Sequence, residues 1–464
     1  MDDQLFRMSI SKLAPLVQNK MISPVELTQS VLSQAKKYNP QINAYVDITE
    51  ENALATARIA EDEISQGGYR GKLHGIPLAL KDILYFKDEK TSIGSKIHQN
   101  FRSTEDATVV SKLKEAGAIF TGKLNMHEYA WGGTTNNPHF GPCRNPWDLE
   151  RIPGGSSGGS GAAVIADMTI GSLGTDTGGS VRGPAALCGI VGLKPTHGLV
   201  SKYGCFPLAW SLDHIGPMTK TVEDNAIMLE YIAGQDDKDI TTQYTHSIEY
   251  SKWLTGDIKG KVIGIEEDYF FNNIESGVEN VVREGIKKLE QLGAKIEIVK
   301  LPSLQYTVFA EMTTIITEAT TIHQKNIKMR PEDFGADVQC LLKLGEVPSA
   351  VDYLQAQQIR TIMKREFSSV FEKVDVLVSP QLPFTAPKIG DDNVVGESVR
   401  LMAPANLTGL PAISVPCGFS EGLPVGMQII GPGFSETLIL NIAYAFEKTN
   451  PLQGKKPNLN KVLI

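Results

Sequence analysis

Two periods of apolar residues run through this chain. In SPVELTQSVLSQAKKYNP, Leu27, Val31 and Ala35 recur at every fourth position with polar residues between them, the spacing that gathers apolar side chains on one helix face. Ser23 precedes Pro24 and stands three residues before Glu26, a capping signature that predicts a helix beginning there. DATVVSKLKEAG and VENVVREGIKKLEQLG carry the same helical pattern. Between such stretches lie short runs rich in β-branched residues: AIFTGKL, KVIGIEE, AKIEIVKL, VDVLVSP, AISVPCG and VGMQII. Their alternation with helices predicts a layered α/β architecture.

No repeat of roughly 20 to 50 residues stands out, and no low-complexity linker divides the chain. The polar stretch GQDDKDITTQYTHSIEYSKWLTGD, residues 234–257, is the one plausible break. The reading is a single large α/β unit over residues 1–464, with a helix-rich subregion from about Ile258 to Glu372. Composition agrees with a large buried core: 464 residues, 41% hydrophobic and 21% charged, without a long apolar run. The start, MDDQLFRMSISKLAPL, lacks a basic, then apolar, secretory pattern, and no segment reaches the roughly 20 apolar residues of a membrane span. A cytoplasmic protein without a membrane partner is expected. Cys143, Cys188, Cys205, Cys340 and Cys417 are scattered, with no CxxC pair, which argues against a disulfide framework or a zinc site. The net charge of -8 has no basic block, so no direct nucleic-acid contact is expected.

Two Gly/Ser clusters, RIPGGSSGGSGAAV and GTDTGGSVRGP, sit inside apolar sequence rather than in a solvated linker. Neither has the spacing of a phosphate-binding loop. Gly155 to Gly159 matches GxSxG with Ser157 as nucleophile, but Asp148, Glu150, Arg151 and Pro153 precede it where a buried strand belongs. The last histidine, His323, comes about 140 residues before the end. A third reading joins the clusters to LHGIPLALKDIL, where Lys81 follows an apolar run. Lysine, serine and serine make a base, a relay and a nucleophile, provided that the amine is neutral. Moving a lysine from about 10.4 to near 7 costs about 4 to 5 kcal/mol against the ammonium, which a dry setting supplies.

GIPLALKD, GKLNMHEYAWG, NPWD, RIPGGSSGGSGAAV, GTDTGGSVRGPAALCGIVGLKPTHGLVS and LDHIGPMTKTVED, in that order, resemble the amidase signature family. The late pieces SPQLPFTAP and NLTGLPAISVPCG extend the resemblance nearly to the C-terminus. It implies one fold, a mixed twisted β-sheet covered by helices on both faces. The signature core would span about residues 65–225, the helix-rich subregion about 258–372, and a return to the core about 373–464. It also implies a catalytic set of Lys81, Ser156 and Ser180: Ser180 attacks the amide carbonyl, and Ser156, reached through a cis peptide, relays the proton to Lys81. The backbone amides of Thr177, Gly178, Gly179 and Ser180 would form the oxyanion hole.

Around these, Asp176 and Arg182 read as a structural ion pair bracing the loop, and Ser157 as a supporting hydroxyl. Met126, Tyr129 and Trp131 are candidates for the substrate pocket, equally readable as core. His127 is given no catalytic role. The resemblance implies a small-molecule amide substrate, no cofactor and no metal. Its members include stand-alone amidases and the A subunit of glutamyl-tRNA(Gln)/aspartyl-tRNA(Asn) amidotransferase, which works with partner subunits; a stand-alone enzyme could form a homodimer. Many blocks resemble that subunit, but its usual MDEF is MHEY here, SIRQP is SVRGP, EVKRRI is DVQCLL and PFDE is GFSE. Glutamine needs a cation for its α-carboxylate and an acid for its α-ammonium. Cys340 or Leu341 cannot serve as the first, and Ser435 stands where the second is expected. The expectation is therefore a stand-alone amidase for a less polar or differently substituted amide, ahead of the amidotransferase subunit, with a non-catalytic binding protein on the same fold as a remote alternative.

Overall fold

The computed structural model describes residues 5–391, 395–449 and 455–459. The strands are β1 (Tyr45–Ile48), β2 (Pro77–Lys81), β3 (Ile119–Leu124), β4 (Asn136–Asn137), β5 (Gly141–Pro142), β6 (Gly171–Thr175), β7 (Val191–Lys194), β8 (Ile215–Thr219), β9 (Val262–Ile265), β10 (Lys295–Ile298), β11 (Val376–Pro380), β12 (Ala412–Ser420) and β13 (Leu423–Ile430). The short β4 and β5 pair with each other; the other eleven form one sheet in the order β1-β3-β2-β6-β8-β7-β12-β13-β11-β9-β10.

The sheet is mixed, as expected. Strand β2 runs parallel to both β3 and β6, whereas β8 is antiparallel to both β6 and β7. Every residue of β2, β3, β6, β8 and β13 is buried. Successive strand residues point to opposite faces, so the middle of this sheet is covered on both sides. The helix Ser276–Gln291 packs on β11, β12 and β13, and the helix Arg182–Cys188 on β7, β12 and β13.

The strand runs read from the sequence all fall on strands, and the helix expected after Ser23 spans Pro24–Ile42. The Ser23 hydroxyl accepts from the backbone N–H groups of Val25 and Glu26, at 3.0 and 3.2 Å, two of the donors left free at a helix start. The polar stretch 234–257 does not divide the sheet, since β9 beyond it pairs with β11 and, through β13 and β12, joins β7 before it. Among the described residues no helix is long and apolar enough to cross a membrane, and no group of three or more His, Cys, Asp or Glu is placed to hold a metal ion.

Candidate active site

The last residue of β2 is Lys81, fully buried between β3 and β6. Its Nζ donates to Ser156 Oγ and to Thr175 Oγ1, each at 2.7 Å. Burial strips water from the ammonium and lowers the pKa to about 7, although Asp176 and Asp213 pull the other way. Near neutral pH this amine is therefore a base within hydrogen-bond reach of a serine hydroxyl.

Ser156 follows a cis peptide bond from Gly155. A Cβ on Gly155 would stand 2.6 Å from both Gly132 O and Thr134 N, so the neighbouring loop passes too close for any side chain. Thr135 Oγ1 donates to Gly154 O at 2.8 Å, and the His127 N–H donates to Ser156 O at 3.1 Å. The Ser157 hydroxyl is bonded to the backbone of Thr175, donating to its O at 3.2 Å and accepting from its N at 3.3 Å. The GxSxG match thus singles out a buried hydroxyl tied to the end of β6.

Ser180 lies in the turn between β6 and the helix Arg182–Cys188. It and Gly178 are half-buried in an otherwise buried loop, and no described residue hydrogen-bonds the Ser180 hydroxyl. The structure therefore joins Lys81 to Ser156, while Ser180 stands without a direct bond to either. The sequence predicts four converging amides in this loop. The Gly179 N–H, however, donates to Asp176 Oδ1 at 2.9 Å, so it is not a free donor, and only the N–H groups of Thr177, Gly178 and Ser180 have no described acceptor.

Asp176 and Arg182 form a buried ion pair. Arg182 Nη2 and Nε reach the two carboxylate oxygens at 2.9 and 3.0 Å. The Val181 N–H and the Asn406 side chain donate to the same carboxylate. Burial alone would raise the Asp176 pKa, but the Arg182 guanidinium, Lys194 and the Asn406 hydrogen bond together outweigh it and hold the group at about 2. Arg182 also bonds Met402 O and the side chains of Gln428 and Asn406, locking the Ser180 turn to the C-terminal part of the chain. Thr177 donates its hydroxyl to the buried Asp213 at 2.6 Å.

The pocket candidates are all buried. Met126 and Tyr129 have no exposed surface and Trp131 only 6%. The Tyr129 ring sits among His98, Phe206, His323 and Phe334, with its hydroxyl 2.9 Å from His98 Nδ1. His127 Nε2 lies 2.8 Å from Asp337 Oδ2, so the fold brings together two of the segments that depart from the amidotransferase pattern, MHEY and DVQCLL. Cys340 is exposed, and the Ser435 hydroxyl donates to Pro432 O at 2.7 Å.

Sequence reasoning missed Thr175 and Asp213, which bind Lys81 and Thr177, and Glu311, described below. Thr175 sits within the GTDTGGS motif, which was its only signal.

A dry lysine on a serine, beside a half-open turn with unpaired backbone amides, can activate a hydroxyl for acyl transfer. The chain belongs to the Amidase family, which it matches over residues 26–440. It is 42% identical over 485 residues to the glutamyl-tRNA(Gln) amidotransferase A subunit of Carboxydothermus hydrogenoformans, covering 98% of this chain and 100% of that protein. Among solved structures, the subunit of the same name from Thermotoga maritima superposes with a TM-score of 0.84 at 38% identity, covering 97% of this chain and 96% of that one. Native peptide amidase from Stenotrophomonas maltophilia gives 0.87 at 30% identity, covering 97% and 98%.

Proposed function

We propose that this enzyme cleaves a carboxamide through an acyl-enzyme on Ser180. The Ser180 hydroxyl attacks the carbonyl carbon and its proton passes by way of Ser156 to Lys81. The amides of Thr177, Gly178 and Ser180 receive the oxyanion, and the tetrahedral intermediate collapses as the proton returns to the leaving nitrogen. Water then releases the acid from Ser180. The observation that carries this reading is the 2.7 Å bond between a lysine with a pKa of about 7 and Ser156.

For the substrate, we infer glutamine, with the chain acting as the ammonia-supplying component of an amidotransferase and working with partner subunits. Support comes from the likeness to amidotransferase A subunits over 98% of the chain, and it reverses the order expected from the sequence departures. One observation favours the second reading, a stand-alone amidase: the contact between His127 and Asp337 occupies the two departing segments, and neither Cys340 nor Leu341 supplies a cation. The two separate in an ammonia-release assay over glutamine, asparagine, aliphatic amides and aryl amides, with and without the partner subunits. Glutamine hydrolysis that rises when partners are added is expected. Turnover of aliphatic or aryl amides with glutamine untouched in both conditions would favour the second reading.

A further inference from the structure

The helix Thr307–Met329 passes the nucleophile turn and carries Glu311 against it. Glu311 has no exposed surface, and neither carboxyl oxygen has a hydrogen-bond partner. A Cβ placed on Gly178 would lie 2.8 Å from its Oε1, so the carboxyl abuts the half-open loop that holds Ser180. Glycine at 178 is what lets it come that near.

The charged and polar groups around Glu311 are engaged elsewhere. Arg360 donates to Ser211 Oγ, Ser211 O, Gln357 Oε1 and Leu407 O. Arg182 is committed to Asp176, Asn406, Gln428 and Met402. On Glu311's own helix, Thr314 donates to Ala310 O, and Glu318 accepts from Ser211 and Tyr353. Burial holds the Glu311 carboxyl well above the usual carboxylate range. A buried acceptor left empty is unfavourable in the free protein, and a donor arriving with the substrate would complete it.

We propose that Glu311 is the acceptor for a cationic amino group on the substrate, so that the site selects amides bearing an ammonium close to the scissile carbonyl. Gly178 is two residues from Ser180, a span of at most about 7 Å. That distance suits an ammonium about four bonds from the carbonyl carbon, which is where glutamine carries its own. The inference rests on the acyl-enzyme reading in placing the substrate over Ser180. It supplies the acid that Ser435 does not.

The probes are 4-aminobutanamide and pentanamide, which have nearly the same shape and differ in an ammonium against a methyl group. Binding of each to the Ser180→Ala protein is measured by calorimetry, and again with Glu311→Gln added. The expected result is a preference for the ammonium compound of at least about 30-fold, lost in the double variant, as for a charge-assisted hydrogen bond. Equal binding of the two amides with Glu311 intact, or a preference that survives Glu311→Gln, overturns the proposal. The comparison with Glu311 intact decides the matter even if the glutamine variant does not fold. Failure of the acyl-enzyme reading shows separately, as absent fluorophosphonate labelling of the unsubstituted protein while the binding preference remains.

Discussion

In the proposed mechanism, burial is what makes Lys81 a base. With a pKa of about 7, its amine is protonated below that value and cannot accept the Ser156 proton, and is free above it. The rate constant kcat/KM should therefore rise as pH increases through about 7 and then level off. Lys81→Met should remove this limb and lower the rate at least about a thousandfold; a variant that kept the profile would exclude lysine as the base. Stability follows the same shift with a definite sign. Between about 7 and the ordinary lysine value of about 10.4, the unfolded chain binds a proton that the folded chain does not. Folding is thus favoured as pH rises through that window, and the methionine variant should lack this slope. The sequence points to Lys81, Ser156 and Ser180 through motifs that resemble a family's, and of these the fold bonds Lys81 to Ser156. Glu311 was not legible there, because nothing local marks a glutamate in a helical run; only the fold carries it to Gly178, more than a hundred residues away in the chain.

At the level of elements, the Ser180 turn is held by a buried ion pair between its own Asp176 and Arg182, the first residue of the helix that follows. Asp176 collects Arg182, the Gly179 and Val181 N–H groups and Asn406, so the turn, its helix and the segment around Asn406 share one carboxylate. Asp176→Ala should cost about 3 to 5 kcal/mol, because it leaves a guanidinium buried without its partner; urea unfolding measures it, and a loss well under about 1 kcal/mol would contradict the bracing role. The group is held near 2, below the ordinary value of about 3.9. Its stabilisation is complete above that ordinary value and fades as pH falls through about 2. Strands such as β3 and β9 were legible because their β-branched and aromatic residues suit a pleated surface. Strands β6 and β8, GSLGT and IGPMT, escaped that rule. Glycine and proline usually punctuate strands, and here they lie in the buried middle of the sheet.

Across the whole molecule, the sheet gathers the site from distant parts of the chain: Lys81 ends β2, Thr175 ends β6, and Arg182 reaches Gln428 on β13. The C-terminal strands β12 and β13 stand between β7 and β11, so they complete the sheet rather than add a separate layer. Specificity was the least legible property, because it depends on which side chains meet across the cleft: MHEY and DVQCLL read as two separate departures, yet His127 and Asp337 touch. The claim on which the rest depends is that one serine, Ser180, carries the acyl group. Fluorophosphonate treatment followed by peptide mapping by mass spectrometry tests it most directly. A single adduct on the peptide containing Ser180, absent from a folded Ser180→Ala protein, is the expected result. An adduct on Ser157 or Ser156, or labelling that persists in Ser180→Ala, would contradict it.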